Sequence, residues 1–118
     1  MPGISSGSFN QPDETRSPNR MLVEVVRLGA VATARITFQP GWRWSESVKP
    51  VVGTDSCQVR HVGTIVSGRL HVVHDDGSEV EAGPGGVYVI EPGHDAWVVG
   101  TEAVVAYEFE SAEAYAKG

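Results

Sequence analysis

Apolar residues fall at every second position in short runs, and glycine or proline ends each run before it grows long. Ala32, Ala34, Ile36 and Phe38 alternate with Val31, Thr33, Arg35 and Thr37 until Gln39-Pro40-Gly41 stops them. A period of two belongs to a strand with one buried face, and the breakers confine each strand to a few residues. With 14 Gly and 7 Pro in 118 residues, the chain is punctuated too often for a helical bundle. This pattern predicts strands over 22–28, 31–38, 42–48, 57–66, 69–74, 78–82, 86–91, 94–99 and 103–109. Asp75-Asp76-Gly77 marks a hairpin, because glycine takes the positive φ that closes a bulged turn, and Gly83-Pro84-Gly85 is a further break. Only 111–117 reads as helix, with Ser111 as N-cap and Lys117 near the negative end. Many short antiparallel strands predict an all-β sandwich or barrel.

The length fits one domain, which buries roughly two-thirds of its unfolded surface around a single core. Residues 1–20 hold few large apolar side chains, Ile4 and Phe9 beyond Met1, and are predicted to form a flexible N-terminal tail ahead of a barrel domain over 21–118. The net charge is −6, and from Asp75 onward ten acidic residues face Lys117 alone. Such a surface offers nothing to neutralise a phosphate backbone, so nucleic acid is not an expected partner. Cys57 is the single cysteine, which excludes an intramolecular disulfide, and no apolar run reaches the length of a membrane helix. The N-terminus lacks the charged-then-apolar form of a signal peptide, and the expected location is the cytoplasm.

Two segments carry a more specific pattern: Gly85-Gly86-Val87-Tyr88-Val89-Ile90-Glu91-Pro92-Gly93-His94-Asp95-Ala96-Trp97, and upstream His61-Val62-Gly63-Thr64-Ile65-Val66-Ser67-Gly68-Arg69-Leu70. Together they resemble the cupin family. The stretches 41–46, 53–58 and 92–100 extend the resemblance to small single-domain bacterial cupins, over about residues 22–116. It implies a double-stranded β-helix, or jelly-roll barrel, with a short C-terminal helical segment. In the family's second motif, counted from Gly85, Glu91 takes the proline position, Gly93 the second glycine and Ala96 the histidine ligand. His94, two residues earlier and on the same face of a regular strand, is a substitute ligand. In the first motif, counting back from Gly68 puts the glutamate ligand at His61. The two histidine positions fall on Ser47 and Lys49 when counted forward from Gly41, or on Asp55 and Cys57 when counted back from His61. The second register gives Asp55, Cys57, His61 and His94, a mixed S, N and O set suited to zinc or another divalent first-row ion such as Fe, Mn or Ni. The alternatives are an interior imidazole at His61 held by hydrogen bonds, and a buried thiol at Cys57 that packs as a small hydrophobe.

The pocket implied by these positions is lined by Ser47, Lys49, Gln58, His61, His94 and Ala96. It suits a small polar or anionic molecule, with Lys49 as a point charge and His61, Gln58 and His94 fixing its orientation. The first expectation is thus a non-catalytic or sensory binding domain. A metal-dependent oxygenase or isomerase with His61, Cys57 and His94 around the ion is the second. A structural homodimer is the third, because strand parity over 42–48 sends Trp42 and Trp44 outward, Trp97 is out of phase with Ala96, and aromatic rings gather at interface centres. His71 and His74 lie three apart on a strand, on opposite faces, and form no pair. Asp75 and Asp76 are not followed by the spaced oxygen ligands of a calcium loop. No serine sits in a hydrolase elbow, and Gly83-Pro84-Gly85-Gly86 lacks the lysine of a phosphate loop.

Overall fold

A computed structural model describes residues 3–111 and Tyr115. Strands β1 (Glu14–Arg16), β2 (Met21–Leu28) and β3 (Val31–Phe38) are followed by two single-turn helices, α1 (Trp44–Ser47) and α2 (Lys49–Val52). Then come β4 (His61–Ser67), β5 (Leu70–His74), β6 (Glu79–Ala82), β7 (Val87–Ile90), β8 (His94–Val98) and β9 (Val104–Phe109). One sheet has the order β1-β2-β3-β9-β4-β7 and the other β6-β5-β8, with every pair antiparallel. The non-sequential neighbours β3-β9-β4-β7 and β5-β8 are crossovers that wrap the two sheets around one core. Val23, Val25, Ala34, Ile36, Ile65, Leu70, Val72, Val98, Val104 and Ala106 fill it from both sides. These are the in-phase residues of their strands, as a half-buried alternation requires. Among the described residues no helix is long and apolar enough to cross a membrane.

The structure corrects the strand expected over 42–48. Trp44, Ser47 and Val48 are buried at the three- and four-residue spacing of a helix, while Pro50 opens α2 and Gly53, at φ 78°, closes it. The outward placement of the tryptophans falls with that strand. Trp42 and Trp44 are each 1% exposed, and Trp42 packs on the Phe38 ring with centroids 4.5 Å apart. Trp97 does lie on the outer face of β8, but within the chain it stacks on His71 at 4.8 Å and receives the Arg43 guanidinium at 4.2 Å.

The N-terminal segment also differs from a free tail. Residues 14–16 pair with β2, and Asp13 accepts a hydrogen bond from the Arg27 N–H at 2.7 Å. Arg16 binds Glu14 at 2.7 Å and the Tyr115 carbonyl at 2.8 Å, and the Phe9 ring lies 5.5 Å from that of Tyr107. Backbone pairing to the open edge of β2 offsets the ordering entropy that the side chains alone could not. Of the predicted C-terminal helix, 112–114 and 116–118 lie outside the described residues; the Tyr115 N–H donates to the Ser111 carbonyl at 3.1 Å.

Candidate metal centre

His61 is the first residue of β4 and His94 the first of β8, and both begin the inward phase of their strands. Cys57 precedes β4 in a loop that is fastened directly to β8. Its N–H donates to the His94 carbonyl at 2.8 Å, and its own carbonyl accepts from the Gly93 N–H at 2.7 Å. Gly93 sits at φ 102°, a conformation that a side chain would strain, so this turn needs glycine there. The result brings Cys57, His61 and His94 together, all buried, with their donor atoms within 4.8 Å of one another.

A fourth side chain completes the cluster. Glu108 on β9 is 3% exposed, and its Oε1 lies 2.6 Å from His61 Nδ1. The Ser111 hydroxyl donates to the same oxygen at 2.6 Å, and the Tyr88 hydroxyl donates to Oε2 at 2.7 Å. Gly63 makes this possible, since it is the register partner of both Tyr88 and Glu108. A Cβ there would strike the Tyr107 carbonyl and press on Glu108 Cγ at 2.8 Å and the Tyr88 hydroxyl at 3.0 Å.

The charges follow from these contacts. Burial depresses the basicity of His61, yet the Glu108 carboxylate and the Cys57 hydrogen bond outweigh it and raise its pKa from 6.5 to about 10. Burial raises the Cys57 thiol, but hydrogen bonds from His61 and His94 prevail and bring it down to about 6. Burial raises Glu108 too, and the His61 charge with three hydrogen bonds holds it below the ordinary carboxylate value. Without a metal, the centre is thus a thiolate, an imidazolium and a carboxylate in a row.

One donor pair has the spacing that a metal ion needs. His61 Nε2 lies 3.4 Å from Cys57 Sγ. Tetrahedral coordination with metal–sulfur and metal–nitrogen bonds of ordinary zinc length sets those two atoms about 3.5 Å apart. His94 Nδ1 is 2.8 Å from the Glu91 carbonyl and His61 Nδ1 is on Glu108, so both rings have their Nδ1 committed to an acceptor. That leaves Nε2 of each as the ligand nitrogen, the arrangement in which outer partners orient metal-binding imidazoles. The cluster could hold a metal ion.

Among solved structures, the chain is similar to a protein of unknown function from Rhizobium leguminosarum bv. viciae 3841, at 24% identity and TM-score 0.62, over 90% of this chain and 95% of that one. It is also similar to the cupin domain of Cnp3 from Schizosaccharomyces pombe, at 17% identity and TM-score 0.59, over 81% and 66% of the two chains. The fold is that of a cupin. KdgF from Halomonas sp. shares it at 16% identity and TM-score 0.58, over 83% of this chain and 87% of that one. By sequence, no protein-family profile and no curated protein matches the chain.

Within this cupin barrel the expected pocket residues separate. Ala96 lines a small space beside His61 and His94, together with Trp42, Tyr88, Glu108 and Tyr115. Ser47 is buried on α1 but does not line that space, and Gln58 is exposed, with its amide on Ser56. Asp55 is fully exposed, and its carboxylate pairs with Lys49 Nζ at 3.9 Å on the surface. The turn at Gly53 directs only Cys57 of that segment inward, so neither Asp55 as a ligand nor Lys49 as a pocket charge reaches the cluster. Glu108 escaped the sequence reading, although its signal was present. Val104 and Ala106 are buried, and Glu108 continues their inward phase as a carboxylate on an apolar face.

Proposed function

We propose that this cupin barrel is a metal-binding module in which Cys57, His61 and His94 hold one divalent first-row ion, zinc being the best match to a thiolate and two imidazoles. The observation that carries this reading is the commitment of both Nδ1 atoms to acceptors, which leaves both Nε2 atoms as ligands, that of His61 3.4 Å from the Cys57 sulfur. Glu108 holds the His61 ring in place, Tyr88 and Ser111 hold Glu108, and the strand pairing of Cys57 with His94 fixes the third donor. A bound ion would supply Lewis-acid charge at the one tetrahedral position that three protein ligands leave open. The apolar walls of Phe38, Leu70, Val72 and Ile90 keep bulk water from competing there. This is a binding or sensory site before it is a catalytic one, because the space beside it, about 20 Å³, is small for an organic substrate.

Metal analysis of the purified full chain tests the reading, with about one equivalent of zinc or another first-row ion expected. Cys57→Ser and His94→Ala should each weaken zinc binding more than about a hundredfold, beyond the 10- to 100-fold typical of changes to outer partners. Wild-type stoichiometry in either variant would remove that residue from the centre.

The protonation states give a second expected result. Between the Cys57 value of about 6 and the His61 value of about 10, the pair holds one proton, on His61. An incoming ion must displace it, so zinc affinity should rise about tenfold per pH unit from pH 7 to 9, with about one proton released per ion. Calorimetry in buffers of different ionisation enthalpy measures that count, and zero protons would place the ion elsewhere.

A further inference from the structure

The space beside His61 and His94 measures about 20 Å³, room for a ligand of a few atoms rather than for a substrate of many. Val72 and Ile90 line both this space and an outer cleft of about 270 Å³, so a thin aliphatic wall separates the centre from solvent. The polar groups around the space are nearly all satisfied. Glu108 accepts from Ser111 and Tyr88 and is bound to His61, which fills about three of its four acceptor sites. Trp42 is different. It lines the space, it is 1% exposed, and its Nε1 has no hydrogen-bond partner among the described residues.

An indole N–H can only donate, and a buried donor without an acceptor is rare enough to require an explanation. A divalent ion held by one thiolate and two neutral imidazoles keeps positive charge for its remaining ligand. The group that satisfies both must be small, negative and an acceptor. Resting on the metal reading above, we propose that the open position takes an anion of no more than about three atoms, and that the Trp42 N–H is its hydrogen-bond donor and selects it. Trp44 supplies an internal control. Its Nε1 is also buried and without a partner among the described residues, but the residue does not line the space.

The test uses the full chain loaded with Co²⁺, titrated with azide and followed by the visible bands of the ion. Azide should perturb those bands in wild type, and Trp42→Phe should weaken it about tenfold or more, as for loss of a hydrogen bond to a charged group. Trp44→Phe should leave azide affinity within about twofold, and imidazole, too large for the space, should not compete. In zinc-loaded wild type, azide should move the Trp42 side-chain N–H resonance downfield and leave that of Trp44 in place. This keeps the proposal testable if Trp42→Phe fails to fold. A normal cobalt spectrum that azide does not perturb, equal azide affinity in Trp42→Phe and wild type, or an unmoved Trp42 resonance would overturn the proposal while the metal reading stands. Absence of thiolate-to-cobalt absorption would overturn the metal reading, and this proposal with it.

Discussion

Glu108→Ala should destabilise the metal-free protein by about 3 to 5 kcal/mol, the range for removing one partner of a buried ion pair. The change strands three groups at once: the His61 imidazolium and the hydroxyls of Tyr88 and Ser111, all of which bind Glu108 within 2.7 Å. His61 would then have Cys57 alone to oppose the burial that lowers its pKa, and would hold its proton less firmly. The loss should therefore depend on pH in a defined direction. His61 is raised from 6.5 to about 10, so its contribution is complete below about pH 6.5 and fades as pH rises through 10. Glu108 is lowered, so its contribution is present above the ordinary carboxylate value and fades as pH falls through its folded value. The gap between wild type and Glu108→Ala should be widest near pH 6 and narrower at pH 10. Urea unfolding with a chelator present measures both, and a variant as stable as wild type at pH 6 would show that the cluster contributes nothing to folding.

Half of this centre was legible before any coordinates. Counting back seven residues from Gly68 places His61 inward, and parity on β8 places His94 on the face of Ala96; both line the small space beside Ala96. Cys57 followed from one of two motif registers. Asp55 came with it only because the count assumed a regular strand up to His61, whereas the chain turns at Gly53 and meets β8 at Cys57 alone. Glu108 lay outside both motifs. It is a family-independent signal, a carboxylate in phase with buried valine and alanine, which states that a buried cation or donor must face it.

The fold was read from alternation where alternation is unambiguous, as on β3 and β9. It was misread where two tryptophans two apart imitate a strand while Trp44, Ser47 and Val48 keep helical spacing. The N-terminal segment was misread for another reason. Composition records what side chains can bury, and says nothing of a backbone edge waiting on β2 for Glu14–Arg16 to pair with.

Trp44→Glu separates the two readings of the tryptophans, and it should leave the chain largely unfolded at 25 °C. The ring is 1% exposed and belongs to the core cluster that also holds Val48, Ala96 and Val98. Deleting such a side chain costs about 3 to 5 kcal/mol, and a carboxylate left in apolar surroundings adds several more. A domain of this size has about 5 to 15 kcal/mol in all, so the sum reaches or passes what holds it folded. Trp44→Phe should be far milder: it keeps an aromatic ring in the site, and the indole nitrogen it removes has no partner among the described residues. Circular dichroism and the dispersion of amide resonances report the outcome. If Trp44→Glu keeps its β signature and instead sediments as a monomer where wild type is a dimer, the ring belongs to an interface after all.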